Sequence, residues 1–132
     1  MKGCRKIVVT GALGHIGSRI IRDLPEACPD ALVVMIDNML TQRYCSLFGL
    51  PADGRYRFIQ TDVLTAELHS LLEGADVVGL TSGASAPEWL VDRMVGFLRD
   101  RGFTDVEDVH VRDEQMHFSL PAGVRTLPVV PA

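Results

Sequence analysis

The sequence predicts an α/β fold: a doubly wound, mainly parallel sheet of five to six strands with helices on both faces, in a single domain. Three observations predict it. Short β-branched runs alternate with stretches of helical periodicity. The first run, Lys6-Ile7-Val8-Val9-Thr10, is apolar without a break at its centre, as a strand covered on both faces requires. A glycine-rich turn then leads straight into an amphipathic segment. The 132 residues suffice for one domain with a sizeable core and are too few for two. That domain is expected to span 1–128, with 129–132 as a loose tail.

After the first strand and its turn, Ile16, Ile20, Ile21 and Leu24 fall on one helical face, and Pro25 and Pro29 are expected to end that helix. Leu32 to Ile36 reads as the second strand, closing on Asp37-Asn38. Residues 39–55 mix Leu40, Leu47, Phe48 and Leu50 with Gly49, Pro51 and Gly54, which suggests a short helix and a loop. Tyr56 to Gln60 alternates as a third strand, and Leu64, Leu68, Leu71 and Leu72 give a helical face that stops at Gly74. Asp76 to Leu80 is the fourth strand. Ser85-Ala86-Pro87-Glu88 has the spacing of a capping box ahead of the stripe Leu90, Val91, Met94, Val95 and Leu98, and Gly102 closes that helix. Val106 to Val111 and Met116 to Leu120 are expected as two closing strands, followed by a proline-bearing tail from Pro121.

Composition excludes several functions. At 47% hydrophobic the chain is not intrinsically disordered. No apolar run approaches the roughly 20 residues of a membrane helix, and the start lacks the longer apolar region of a secretory signal. A soluble cytoplasmic location, or a recombinant soluble protein, is the expectation. With 13 basic against 17 acidic residues and no run of either sign, no basic face offers itself to nucleic acid. Cys4, Cys28 and Cys45 are odd in number and widely spaced, and His15, His69, His110 and His117 lack ligand spacing. Neither a disulfide framework nor a metal site is expected. If the closing strands leave an open edge, self-association through it is the one partner the pattern suggests.

The chemistry-bearing motif is Gly11-Ala12-Leu13-Gly14-His15-Ile16-Gly17, placed between a strand and a helix. In that context the first glycine permits the tight turn and the second lets backbone amides approach a pyrophosphate. The third lets helix and strand pack closely, with the helix N-terminus aimed at the phosphates. Asp37 stands 20 residues after Gly17, at the end of the second strand. A carboxylate there accepts hydrogen bonds from an adenosine ribose and repels a 2′-phosphate, favouring NAD over NADP. The plainer alternative is a tight strand-to-helix turn with no ligand.

Val9 to Gly17, Ile36-Asp37-Asn38, Thr61-Asp62-Val63 and Gly74 to Val78 together resemble the N-terminal half of the extended short-chain dehydrogenase/reductases, the NAD-dependent nucleotide-sugar epimerase and dehydratase group, over residues 1–78. The resemblance implies a Rossmann-like fold and a cofactor site at Gly11, Gly14, His15, Ile16, Gly17, Asp37 and Asn38. It also implies that Asp62 meets the adenine amino group, that Val63 lies against the ring and that Ile16 lies near the pyrophosphate. The family's Tyr-x-x-x-Lys pair has no counterpart, because Tyr44 and Tyr56 lack a lysine four residues on and the only lysines are Lys2 and Lys6. Its substrate domain has none either.

Residues 77–128 resemble a different family. Val78 to Val91, with Gly83-Ala84-Ser85-Ala86-Pro87 at its centre, and His117 to Pro121 look like the C-terminal part of 4-hydroxy-3-methylbut-2-enyl diphosphate reductase, an iron–sulfur enzyme. The resemblance implies that Ser85 binds a diphosphate, whereas the residue pattern alone assigns it to capping its helix. The cysteines match none of that enzyme's motifs, so no iron–sulfur cluster is expected. The two resemblances meet inside one strand, near Val77-Val78-Gly79, so 79–128 reads as a βαβ-type segment grafted onto 1–78. The leading expectation is an engineered chimera with no catalytic residues and at most residual binding of NAD, through its adenosine-diphosphate half, with NAD not needed for folding. A ligand-free scaffold and a small natural NAD-dependent oxidoreductase or epimerase fragment are the alternatives. For the last, His15, Asp37, Asp62 and His117 have no spacing that suggests an acid–base set. The chimera requires the first and fourth strands to lie side by side.

Overall fold

A computed structural model describes residues 3–64, 67–82 and 86–109. Four strands form one parallel sheet: β1 (Lys6–Thr10), β2 (Leu32–Asp37), β3 (Arg55–Gln60) and β4 (Val77–Leu80), in the order β3-β2-β1-β4. The first and fourth strands are neighbours, with Ile7 opposite Val77 and Thr10 opposite Leu80. Both central strands are apolar through their middles, Ile7–Val9 and Leu32–Ile36, because both of their faces are covered, and Val8, Val9, Val33 and Ile36 are fully buried.

Helices cover both faces. Strand alternation sends Ile7, Val9, Val33 and Met35 to one side, where α1 (His15–Ala27) supplies Ile21 and Leu24. Val8, Val34 and Ile36 point to the other, against Leu68 and Leu72 of α2 (Leu68–Leu72) and Met94 and Leu98 of α3 (Glu88–Arg99). Thus β1 leads to β2 across one face, and β3 returns past β1 to β4 across the other. The winding reverses between β1 and β4.

Several details differ from expectation. Pro25 does not end α1 but lies inside it and is buried. The missing proline N–H would have bonded the Ile21 carbonyl, and the Tyr56 hydroxyl donates to that carbonyl instead, at 2.9 Å. Ile16 is half exposed, because the buried stripe of α1 runs through Gly17, Ile21, Leu24 and Pro25. Leu64 is exposed and precedes α2, whose expected stop at Gly74 is present with φ +70°. Helix α3 starts only at Glu88, with an extended Pro87 as its N-cap and no side-chain bond from that cap, and Ser85 of the expected capping box lies outside the described residues. Residues 39–55 hold one short 3₁₀ turn, Tyr44–Leu47.

The sheet has four strands among the described residues, not five or six. Residues 103–109 carry no strand, and Val106 and Val109 are exposed, so the described part of the strand expected over 106–111 is absent. The strand expected over 116–120, His117 and the tail lie outside the described residues. No helix among the described residues is long and apolar enough to cross a membrane.

Candidate functional site

In a parallel sheet all strands end at the same edge. The glycine loop follows β1, Asp37-Asn38 closes β2, Asp62-Val63 follows β3 and Thr81 follows β4. The topology therefore gathers every expected cofactor residue within the described chain at one edge, where the winding reverses.

Gly11 takes φ +61°, a left-handed conformation, and a Cβ there would sit 2.5 Å from Thr81 Oγ1. Gly17 is demanded by space: a Cβ would collide with the Gly11 carbonyl oxygen and lie 2.8 Å from Ala12 Cα. Gly14, the N-cap of α1, is tight only against the Gly11 carbonyl, at 3.3 Å. Helix α1 therefore lies directly on the turn that leaves β1.

The loop's backbone amides are committed in order. Ala12 donates to the Ile36 carbonyl (3.2 Å), Leu13 to Asp37 Oδ2 (3.0 Å) and Gly14 to the Gly11 carbonyl (3.1 Å). The first bond along α1 runs from Ser18 to Gly14, at 2.9 Å. The N–H groups of His15, Ile16 and Gly17 precede it and have no acceptor within the helix by its geometry. They are the amides this loop can turn toward an anion, aided by the positive end of the helix.

Asp37 faces the loop and builds it, since Oδ1 accepts the Met39 N–H at 2.9 Å while Oδ2 accepts that of Leu13. Each carboxylate oxygen retains a further lone pair for a ribose hydroxyl. Asn38 is exposed and closes a local turn by accepting the Leu40 N–H at 3.1 Å. Asp62 accepts the Leu64 N–H at 2.9 Å, and Val63 is half-buried on the α2–α3 side of the sheet. Both follow β3, two strands away from the glycine loop at the end of β1.

Three contributors were not singled out in the sequence. Ser46 is buried and donates to the Leu13 carbonyl at 3.0 Å, fixing the loop from the 3₁₀ turn. Arg43 lies against the imidazole of His15, with Nη1 2.9 Å from Nε2, and brings a guanidinium cation to the start of α1. Thr81 donates to the Thr10 carbonyl at 2.7 Å from the opposite side. None belongs to a spacing motif. Each reaches the loop from an element remote in sequence, so only the fold reveals them.

Tyr56, the tyrosine within the sheet, has its hydroxyl on the Ile21 carbonyl, and burial raises its pKa above the ordinary phenol value. No group of three or more His, Cys, Asp or Glu side chains converges among the described residues in a way that would hold a metal ion. A Cβ at Gly11 would meet Thr81, and one at Gly17 would meet the backbone of Gly11 and Ala12, so both glycines are demanded by the packing of the turn itself.

No family model matches the chain. It is similar to 4-hydroxy-3-methylbut-2-enyl diphosphate reductase of Streptomyces avermitilis, 52% identical over 54 residues, which is 41% of this chain and 16% of the relative. The same enzyme of Tropheryma whipplei is 50% identical over 56 residues, 42% of this chain and 18% of the relative. That of Alcanivorax borkumensis is 43% identical over 122 residues, 92% of this chain and 31% of the relative, and so extends into the glycine-loop half. The chain thus spans less than a third of the length of each of these curated relatives.

Among solved structures, it is similar to a UDP-glucuronic acid 4-epimerase from Bacillus cereus in complex with NAD. The TM-score is 0.52 at 31% identity, over 69% of this chain and 31% of that one. It is also similar to a UDP-N-acetylglucosamine 4-epimerase from Methanobrevibacter ruminantium M1, in complex with UDP-N-acetylmuramic acid. There the TM-score is 0.52 at 27% identity, over 75% of this chain and 30% of that one. The chain is thus similar both to isoprenoid diphosphate reductases and to nucleotide-sugar epimerases with a Rossmann-like nucleotide fold.

Proposed function

We propose that this chain is a dinucleotide-binding module: it binds the adenosine-diphosphate half of NAD and performs no hydride transfer. One observation carries the reading. The first-turn amides of α1 and the Asp37 carboxylate stand at the same sheet edge, beside the point between β1 and β4 where the winding reverses. In this pose the amides of His15, Ile16 and Gly17 receive the pyrophosphate, with the Arg43 guanidinium adding positive potential. Asp37 takes the ribose hydroxyls and disfavours a 2′-phosphate. Asp62 and Val63 border the adenine. A bound nicotinamide would supply the hydride chemistry, and no described tyrosine–lysine pair stands ready to relay the proton. The likeness to an epimerase in complex with NAD supports the reading.

The finer architecture belongs to the same proposal. The module joins an epimerase-like half to a reductase-like segment at β4, and the Alcanivorax borkumensis relative, which matches 122 residues across both halves, favours a natural join over an engineered one. Helix α3 lies on the same face as α2. A right-handed crossover from β4 through α3 makes the open side of β4 the place a fifth parallel strand would take.

Titrating NAD, NADP and ADP-ribose while recording amide resonances is the test. NAD and ADP-ribose are expected to shift His15, Ile16 and Gly17 at sub-millimolar to millimolar concentration, and NADP to do so more weakly. No shift with millimolar NAD overturns binding. In the same spectra, slow exchange of the outward amides of β4 supports the fifth strand and fast exchange overturns it.

The ligand-free reading has its own supporting observation: both Asp37 oxygens already serve backbone amides of the protein. Under that reading saturating NAD leaves the unfolding temperature unchanged, whereas a ligand of the native state must raise it.

A further inference from the structure

Thr81, the first residue after β4, meets the glycine loop in a way that the cofactor reading does not use. Its Oγ1 lies 2.7 Å from the Thr10 carbonyl oxygen and 3.1 Å from that of Gly11. Two consecutive carbonyl dipoles therefore converge on one point. A hydroxyl proton shared between them relieves a repulsion that an apolar side chain would leave in place.

The consequence passes along a rigid unit. The Gly11 carbonyl and the Ala12 N–H belong to one planar peptide, so holding the oxygen aims the N–H. That N–H donates to the Ile36 carbonyl of β2 at 3.2 Å, so β4 grips this peptide from one side and β2 from the other. The Gly11 carbonyl also accepts the Gly14 N–H, at 3.1 Å, which sets where α1 begins. The volume is matched as well: the space a Cβ on Gly11 would need is already taken by the Thr81 hydroxyl. A second threonine bond, from Thr10 Oγ1 to the Gly79 carbonyl at 3.5 Å, ties the same two strand ends.

We propose that Thr81 is a positioning residue of the nucleotide cradle: its hydroxyl, supplied by the reductase-like segment, sets the glycine loop of the epimerase-like half. The second segment then determines affinity at a site whose ligand-facing groups all come from the first. The effect on affinity rests on the NAD reading, whereas the effect on loop geometry does not.

The experiment compares the wild type with Thr81→Val, which keeps the shape and removes the hydroxyl, and Thr81→Ser, which keeps the hydroxyl. Amide hydrogen exchange of Ala12 and Gly14 is measured without ligand, and NAD affinity by titration. Thr81→Val is expected to speed exchange at both amides and weaken NAD by about tenfold, the scale of one lost hydrogen bond. Thr81→Ser is expected to restore both. Should Thr81→Val fail to fold, Thr81→Ala takes its place in the same comparison. Wild-type exchange rates in the hydroxyl-less variant overturn the proposal. If no variant and no wild type responds to NAD while exchange at Ala12 and Gly14 still tracks the hydroxyl, the NAD reading fails and the positioning role stands. Altered exchange with unchanged NAD affinity overturns the link between the hydroxyl and binding.

Discussion

At the scale of single residues, two glycines in similar chemical settings have opposite requirements. Gly17 lies where α1 crosses the β1 turn, and a methyl group there meets the backbone of Gly11 and Ala12, neither of which is a side chain that can swing away. Gly17→Ala is expected to destabilise the protein by about 1–3 kcal/mol in urea unfolding, the usual cost of forcing extra volume into a packed contact. Gly96, inside α3, has open space where a Cβ would stand, with nothing within 4 Å of that point. Gly96→Ala is expected to stabilise by about 0.5–1 kcal/mol, because alanine restricts the unfolded chain more and suits a helix better. The GxxGxxG spacing shows the first glycine in the sequence, while the second is visible only as a residue of poor helix propensity.

At the scale of elements, α1 holds a proline that local rules place at its end. The helix continues because the carbonyl that Pro25 cannot serve finds the Tyr56 hydroxyl on β3. Tyr56→Phe is expected to cost about 1 kcal/mol, since it leaves the Ile21 carbonyl without its donor in a partly buried setting. In a Pro25→Ala background the alanine N–H can bond that carbonyl, so the same tyrosine change should cost less. A double-mutant cycle by thermal unfolding measures the coupling, and strict additivity would refute this account of the helix. Helix α3 shows the reverse case. Its capping-box spacing is present in the sequence, yet Pro87 is extended and the helix begins only at Glu88.

For the whole molecule, the critical contact is between β1 and β4, the strand in which the two resemblances meet. Besides the ladder, the Asp76 carboxylate accepts the N–H groups of Arg5, at 2.6 Å, and Lys6, at 3.0 Å, clamping the starts of both strands. These backbone bonds, helped by the Arg5 charge, lower its pKa below the ordinary carboxylate value. A carboxylate with a lowered folded-state pKa stabilises the fold above its unfolded value of about 3.9. That contribution is lost as pH falls through the folded value. Stability measured from pH 6 down to pH 2 is therefore expected to fall less steeply below pH 4 in Asp76→Asn than in the wild type, and parallel curves would refute the clamp.

The sequence alone determined the parts that depend on local pattern. The apolar runs fixed four strands, the 3.6-residue stripe fixed α1 and α3, and the glycine spacing with Asp37 pointed to the carboxyl edge of the sheet as the candidate site. Tertiary structure decided what depends on partners distant along the chain: that Pro25 is tolerated, that residues 106–109 form no strand, and that Ser46, Arg43 and Thr81 converge on the glycine loop. The physical reason is the same in each case. A carbonyl, a hydroxyl or a strand edge is satisfied by whichever group the fold brings beside it, and no window of neighbouring residues contains that information.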